Sequence, residues 1–214
     1  MSRHFYIGNK ICFNSVMNNI IAIASFVIVI LATIPYIVDT IKKRTRPERI
    51  SWLLWVALGA TYLTSATRTD GAVLYILADF LIAAVILILS LKFGVGGKSR
   101  FDQVCLAVAI IAFILLLAAD NPLYGLGLAV FIDAIGSMLT IRKLSKDRTS
   151  EPKWVWGMFT LAPLLAIIAL ENYSIENLLF PVYALAAKII IFLLAKSSRG
   201  AKISKSKSKE IEKL

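Results

Sequence analysis

Two ionisable residues lie in the middle of apolar stretches, where a charge is costly. Asp133 interrupts the sequence FIDAIG, and Lys188 interrupts ALAAKII. A charged side chain in the hydrocarbon of a bilayer is unfavourable unless it is paired or hydrated. At 1.5 Å per helical residue, Asp133 lies about 17 Å and Lys188 about 20 Å from the outer ends of their helices. Because both lie near the midplane, we expect a direct ion pair between Asp133 and Lys188.

Such a pair permits two kinds of role. It could be a structural salt bridge that holds a bundle closed, or it could line a cavity that binds a solute or protons. Asp79 and Tyr183 are polar candidates for the outer part of the same cavity. Trp55 is a candidate for the cavity wall, with plain packing as the alternative. The chain has one histidine, near its amino terminus, and no nucleophilic, metal-binding or phosphate-binding constellation. We therefore expect no enzyme, no metal and no cofactor.

Seven apolar stretches of helical length would carry these side chains. The chain has 214 residues, of which 58% are hydrophobic, and its mean hydropathy is +0.77. A soluble domain of this size could not bury such long apolar blocks, so a bilayer is the expected solvent. Open strands would leave backbone groups unpaired in lipid, which leaves helices. The predicted spans are 17–41, 50–67, 72–93, 102–119, 122–143, 154–170 and 175–196.

The formal net charge of +11 is concentrated in three connections and in the carboxyl-terminal tail. Basic residues follow spans one, three and five, whereas the alternate connections carry almost none. By the positive-inside rule, the three basic connections and the tail are cytoplasmic, and the amino terminus lies outside the cell membrane. Because this rule accounts for the charge, we do not expect nucleic acid as a partner.

The sequence near Thr40 recurs near Thr140. The stretches TIKK and TIRK begin at these threonines, and in each copy a Pro/Glu pair precedes two tryptophans. Two three-span units can share one orientation only if an odd span separates them, so span four is an inverting linker between parallel repeats.

The expected fold class is an all-α, polytopic membrane protein with seven transmembrane helices in a 3+1+3 parallel-repeat arrangement. Its expected parts are an extracytoplasmic segment 1–15, a first three-helix repeat 16–93, a linker helix with its loops 94–121, a second repeat 122–196, and a basic, disordered cytoplasmic tail 197–214.

Two positions in these helices are candidate hinges. Pro35 interrupts the helical hydrogen bonding of span one, and Gly136 follows the matching position in span five. Each could be a hinge for alternating access or a fixed kink packed by its neighbours. Trp52, Trp154 and Trp156 lie in the first turns of spans that begin at the cytoplasmic face, where we expect indole rings to anchor to lipid headgroups.

Two parallel three-helix units joined by an inverting helix resemble the SWEET and PQ-loop superfamily of sugar and small-solute transporters, over about residues 16–196. The stretches RTRPERISWLLW, LSLKFGVGGKSRFD, FIDAIG and LLFPVYALAAK are similar to a bacterial branch of seven-span proteins that we associate with it. The chain departs from the SWEET pattern: no Pro-Gln dipeptide follows span one, span five lacks the proline, and Lys188 stands where that pattern has a substrate-contacting asparagine. These departures favour an anionic or proton-coupled substrate over a neutral sugar.

The expected function is transport of a small solute by alternating access between the two bundles. The expected substrate-binding residues are Asp133, Lys188, Asp79, Trp55 and Tyr183. The alternative is a receptor or adaptor on the same fold, which would act through its basic loops and tail and would not transport. A further alternative is a retinal photoreceptor that uses Lys188 as its Schiff-base lysine. The expected partners are the solute and the lipid bilayer, and the sequence leaves a homo-oligomer open.

Overall fold

The computed structural model describes residues 2–66, 73–170 and 172–196. Within these ranges the chain forms seven helices and no β-strand element, which confirms the all-helical fold. The helices are α1 (Ser2–Ile41), α2 (Arg49–Ala66), α3 (Val73–Phe93), α4 (Arg100–Leu117), α5 (Pro122–Lys146), α6 (Lys153–Ile168) and α7 (Ile175–Leu194). The predicted span boundaries agree closely except at α1, which begins at Ser2 instead of residue 17. The predicted tail 197–214 lies outside the described residues.

Four helices in the described part of the chain are long and apolar enough to cross a membrane. They are the Ile23–Ile41 segment of α1, and α4, α5 and α7. Helix α6 is apolar but shorter. Four helices of this length and composition indicate a multi-pass membrane protein.

The outward faces of the helices fit an apolar solvent. Large aliphatic side chains are exposed there, among them Ile88, Leu91, Ile111 and Leu193. In water such a surface would be unfavourable, whereas hydrocarbon tails solvate it without cost.

Local sequence signals define the starts of α4 and α5. The Ser99 hydroxyl accepts a hydrogen bond from the Asp102 backbone N–H, and the Asp102 carboxylate accepts one from the Ser99 N–H, which completes a capping box. The Asn121 side chain accepts from the N–H groups of Leu123 and Tyr124, and Pro122 occupies the first helical turn, where no backbone donor is needed. These caps define the residues at which α4 and α5 begin.

The connection between α3 and α4 is tied to the start of α2. The Val95 N–H donates to the Pro47 carbonyl oxygen, and the Arg49 N–H donates to the Val95 carbonyl oxygen, each at 2.9 Å. Gly96 has φ +88°, and a side chain at this position would overlap Glu48 Oε1. Glycine is therefore required at position 96 for its backbone conformation and for the close approach of Glu48.

The contacts between helices follow the same pattern in α1–α3 and in α5–α7. Helix α3 contacts both α1 and α2, and α7 contacts both α5 and α6. Between these two groups, α1 packs on α6 and α2 packs on α5. Helix α4 packs on α5 and only touches α2. Exchanging α1, α2 and α3 with α5, α6 and α7 therefore reproduces the same set of contacts between helices.

Candidate functional site

A small cavity lies between the two groups of helices, with a volume of about 50 Å³. This volume is room for a few water molecules. Helices α2, α3, α5, α6 and α7 all contribute to its lining, so both groups are represented. Its polar residues are Asp79, Asp133, Ser137 and Lys188, and its aromatic residues are Trp52, Trp55, Trp156, Phe159 and Phe180.

Lys188 turns into the helix bundle, as the sequence predicts, but its ion pair differs from the expected one. Its ammonium nitrogen lies 3.6 Å from Asp79 Oδ1, and the lysine side chain is 18% exposed while that of Asp79 is 46% exposed. The expected partner, Asp133, lines the same cavity. Equal depth in the membrane placed Asp133 and Lys188 at one level, but depth alone does not determine which neighbouring helix a long side chain reaches.

Asp133 is held by two hydroxyl groups. Its Oδ2 atom accepts hydrogen bonds from the Tyr183 hydroxyl at 2.9 Å and from Ser137 Oγ at 3.2 Å. The first bond joins α7 to α5, so Tyr183 is a partner of Asp133 as well as a polar group near the cavity. Ser137 was not predicted from the sequence as a site residue, although its position four residues after Asp133 places both on one face of α5.

Tryptophan rings form the aromatic side of the cavity. The ring centroids of Trp52 and Trp55 are 4.8 Å apart, and those of Trp55 and Trp156 are 6.2 Å apart. Both pairs have the edge-to-face geometry that favours aromatic contact. Trp55 thus both lines the cavity and packs against other rings, the two roles that the sequence left open.

The predicted headgroup anchors are wrong for two of three tryptophans. Trp52 is 4% exposed and Trp156 is 2% exposed, whereas Trp154 is 49% exposed and remains compatible with an anchor. Neighbouring helical residues are rotated by about 100°, so residues two apart face roughly opposite sides of the helix. Trp154 and Trp156 therefore point outward and inward from the same turn of α6.

A buried glutamate connects three parts of the chain beside the tryptophans. Glu151 Oε1 accepts a hydrogen bond from the Tyr36 hydroxyl at 3.1 Å, and Oε2 accepts one from Trp156 Nε1 at 2.9 Å. Lys143 forms an ion pair with the same carboxylate and also donates to the Arg46 carbonyl oxygen at 2.7 Å. This arrangement was not predicted from the sequence, although Glu151 belongs to the second of the two Pro/Glu pairs. We call these contacts the Glu151 clamp.

The contact between α2 and α5 is made by small polar residues. Ser51 Oγ donates to the Gly136 carbonyl oxygen at 2.6 Å, and Thr140 Oγ1 lies 3.0 Å from Ser51 Oγ. A Cβ atom at Gly136 would lie 3.0 Å from Trp55 Nε1. Glycine at position 136 therefore permits close contact of α5 with α2, and small residues of this kind typically mark closely packed membrane helices.

Among the described residues, Thr40 lacks the kind of hydrogen bond that Thr140 makes to Ser51. Thr40, the counterpart of Thr140, is fully buried on α1, and its hydroxyl has no hydrogen-bond partner among the described residues. Pro35 lies one turn earlier, inside the helix. The hinge role of Pro35 and of Gly136 stays a prediction, since a single conformation does not test it.

Comparison of the chain with protein-family models, curated proteins and solved structures finds no match. Over residues 2–66, 73–170 and 172–196, no group of three or more histidine, cysteine or acidic residues is placed to hold a metal ion. The interpretation of the site therefore depends on its geometry.

Proposed function

We propose that this protein is an integral membrane transporter of a small solute, which works by alternating access between two three-helix bundles. The observation that carries the proposal is the cavity between the helix groups, because it combines charged residues of both. Asp79 belongs to the first group, and Asp133 and Lys188 belong to the second. Ionisable side chains at membrane depth that face a cavity are typical of substrate and ion pathways.

We also propose that all seven helices cross the membrane in a 3+1+3 arrangement of parallel repeats. The exchange of helix contacts between α1–α3 and α5–α7 supports this arrangement. The position of α4 supports it as well, because α4 packs outside against α5 and does not separate the two groups. Related halves around a midplane site are a common design of secondary transporters.

The conformation described here is proposed to be closed toward the cytoplasm. Trp52, Trp156 and the Glu151 clamp lie toward the ends of α2 and α6 that begin after the basic connections. Those connections are assigned to the cytoplasm by their lysines and arginines. Opening on that side would require the Tyr36 hydroxyl and the Lys143 ammonium to leave Glu151.

Cysteine accessibility tests alternating access without knowledge of the solute. In a background with Cys12 and Cys105 replaced by serine, Ala184→Cys introduces a thiol at the cavity wall. A membrane-impermeant thiol reagent is added to right-side-out and to inside-out vesicles. A transporter exposes position 184 to both faces in turn, so we expect modification from each side. Modification from one side only would contradict alternating access.

Three further single-cysteine variants serve as controls for this experiment. Ile190→Cys lies on the same helix with its side chain 47% exposed on the outer surface of the bundle, so we expect no modification there. For orientation, Asp120→Cys should react only from outside and Arg148→Cys only from inside. The reverse pattern would overturn the proposed topology.

The same experiment separates transport from the receptor or adaptor alternative. An adaptor that acts through its basic loops has no need to expose position 184 to both faces. The retinal alternative requires a Schiff base on Lys188, so adding retinal should then produce a visible absorbance band, and absence of the band would reject this alternative.

A further inference from the structure

The charges of the described residues that line the cavity do not balance. Two carboxyl groups, from Asp79 and Asp133, face one ammonium group, from Lys188. With both carboxyl groups ionised, the cavity carries one excess negative charge. Lys188 is in ion-pair contact with Asp79, and among the described side chains none forms an ion pair with Asp133. Asp133 lies within the electrostatic reach of the same ammonium group, but one ammonium group does not neutralise two carboxylates, and a bound cation would remove the cost of the excess charge.

The hydrogen bonds of Asp133 leave one of its oxygen atoms available. Both the Tyr183 hydroxyl and Ser137 Oγ donate to Oδ2. Within the described part of the chain, no hydrogen bond reaches Oδ1. The two hydroxyl groups therefore orient the carboxylate and leave Oδ1 to accept a hydrogen bond from a ligand.

The tryptophan rings of the cavity wall can also attract a cation. Trp55 is partly exposed and lines the same cavity as Asp133, with Trp52 and Trp156 packed against it. The face of an indole ring carries partial negative charge and attracts cations, and tryptophan does so more strongly than other aromatic residues. A carboxylate and an indole at one cavity are the usual elements of ammonium recognition.

We infer that Asp133 and Trp55 bind the ammonium group of a small organic cation. This inference rests on the transport function proposed above and specifies its class of solute. An anionic solute fits less well, because the one ammonium group of the cavity is in contact with Asp79 and both carboxylates would repel the anion. The anionic solute suggested by Lys188 in the sequence is thus disfavoured once Asp79 is seen beside it.

Tryptophan fluorescence tests this inference directly, because three of the four tryptophans line the cavity. The purified protein is titrated at constant ionic strength with methylammonium, with methanol as a neutral ligand of similar size, and with acetate as an anion. We expect a saturable change with methylammonium alone. Saturation with acetate or methanol, or no saturation with methylammonium, would overturn the inference. This comparison needs no variant.

Two variants locate the binding site. Asp133→Asn should weaken methylammonium binding at least tenfold, because the excess charge is lost while the side chain keeps its size. Asp120→Asn removes a carboxylate from the exposed connection between α4 and α5 and should leave the affinity unchanged. Equal affinity in wild type and Asp133→Asn would contradict the assigned site. Should Asp133→Asn fail to fold, Trp55→Phe is measured instead, and a lower affinity is expected for it.

The labelling and binding experiments can fail separately. If position 184 reacts from both faces but methylammonium does not bind, the transport proposal stands and the cationic solute is wrong. If position 184 reacts from one face only, the transport proposal is wrong, and methylammonium binding would then identify a receptor site. Loss of both signals would reject both statements.

Discussion

The Tyr36 hydroxyl and the Glu151 carboxylate form a hydrogen bond of 3.1 Å between residues that are 115 positions apart in the chain. This bond connects α1 to the segment that begins α6. Because the same carboxylate also binds Trp156 and Lys143, one buried group orients residues from both helix groups. A substitution in the Glu151 clamp should therefore affect residues of both helix groups.

We expect Glu151→Ala to lower the free energy of unfolding by about 3–5 kcal/mol, since it leaves a largely buried ammonium group without its partner. Tyr36→Phe removes one hydrogen bond and should cost about 1 kcal/mol. Thermal and denaturant unfolding of the purified protein in detergent measures both. Asp120→Ala, at an exposed position, is the control and should have little effect. A similar loss in all three variants would show that the clamp has no special role.

Gly136→Ala and Gly127→Ala form a matched pair on α5. A Cβ atom at Gly136 would lie 3.0 Å from Trp55 Nε1, whereas one at Gly127 meets nothing within 4 Å. We expect Gly136→Ala to destabilise the protein by about 1–3 kcal/mol through overpacking. Gly127→Ala should stabilise it by up to about 1 kcal/mol through helix propensity. Unfolding in detergent gives both values, and effects of the same sign would argue against close contact at Gly136.

A double-mutant cycle tests the ion pair of Lys188 with Asp79. Because Asp79 is 46% exposed, we expect a coupling free energy of only about 1 kcal/mol between them. Lys188→Ala should thus destabilise the protein more than it does when Asp79→Ala is already present. The matching cycle with Asp133 serves as comparison. Larger coupling to Asp133 than to Asp79 would restore the pair expected from sequence.

The stability of the protein should depend on pH through Glu48, which precedes α2. Burial raises the pKa of the Glu48 carboxyl above its ordinary value, and this effect outweighs the hydrogen bonds from Ser51, which lower the pKa. The native state therefore favours the protonated form. The stabilisation is complete below the ordinary glutamate pKa of about 4 and is lost as the pH rises through the folded-state pKa.

Glu48→Gln removes this dependence, so the wild type should lose stability relative to the variant as the pH rises from about 4. For Asp147→Asn we expect the opposite dependence of stability on pH. Hydrogen bonds from Thr149 lower the pKa of the Asp147 carboxyl, so its contribution is present above the ordinary aspartate pKa and is lost as the pH falls. Melting temperatures measured across a pH series check both. Parallel curves for wild type and Glu48→Gln would refute the prediction for Glu48.

The sequence predicted the features that depend on distance along one helix. Apolar length predicted seven helices, and the stem of Lys188 is too short to bring its ammonium from midspan to the surface, so its inward direction followed. The depths of Asp133 and Lys188 likewise predicted that both lie at one level of the bundle, and both line the cavity. Each of these conclusions needs only the rise per residue and the cost of a charge in hydrocarbon.

The features that were missed depend on rotation about helix axes and on which helices are neighbours. Trp156 and Trp154 share a depth but face opposite sides of α6. Lys188 reaches Asp79 on α3, which lies far away in the sequence. The clamp on Glu151 requires α1 to pack on α6, a contact that no local pattern encodes.

Among the described residues, the Thr40 hydroxyl has no hydrogen-bond partner, whereas Thr140 in the matching stretch bonds to Ser51. A buried hydroxyl without a partner costs about 1–3 kcal/mol, and a water molecule that reached Thr40 would recover this amount. The contact between α2 and α5 offers no such gain, because Thr140 is already satisfied by Ser51. Hydration would therefore favour loosening of the packing around Thr40 over loosening of the packing around Thr140.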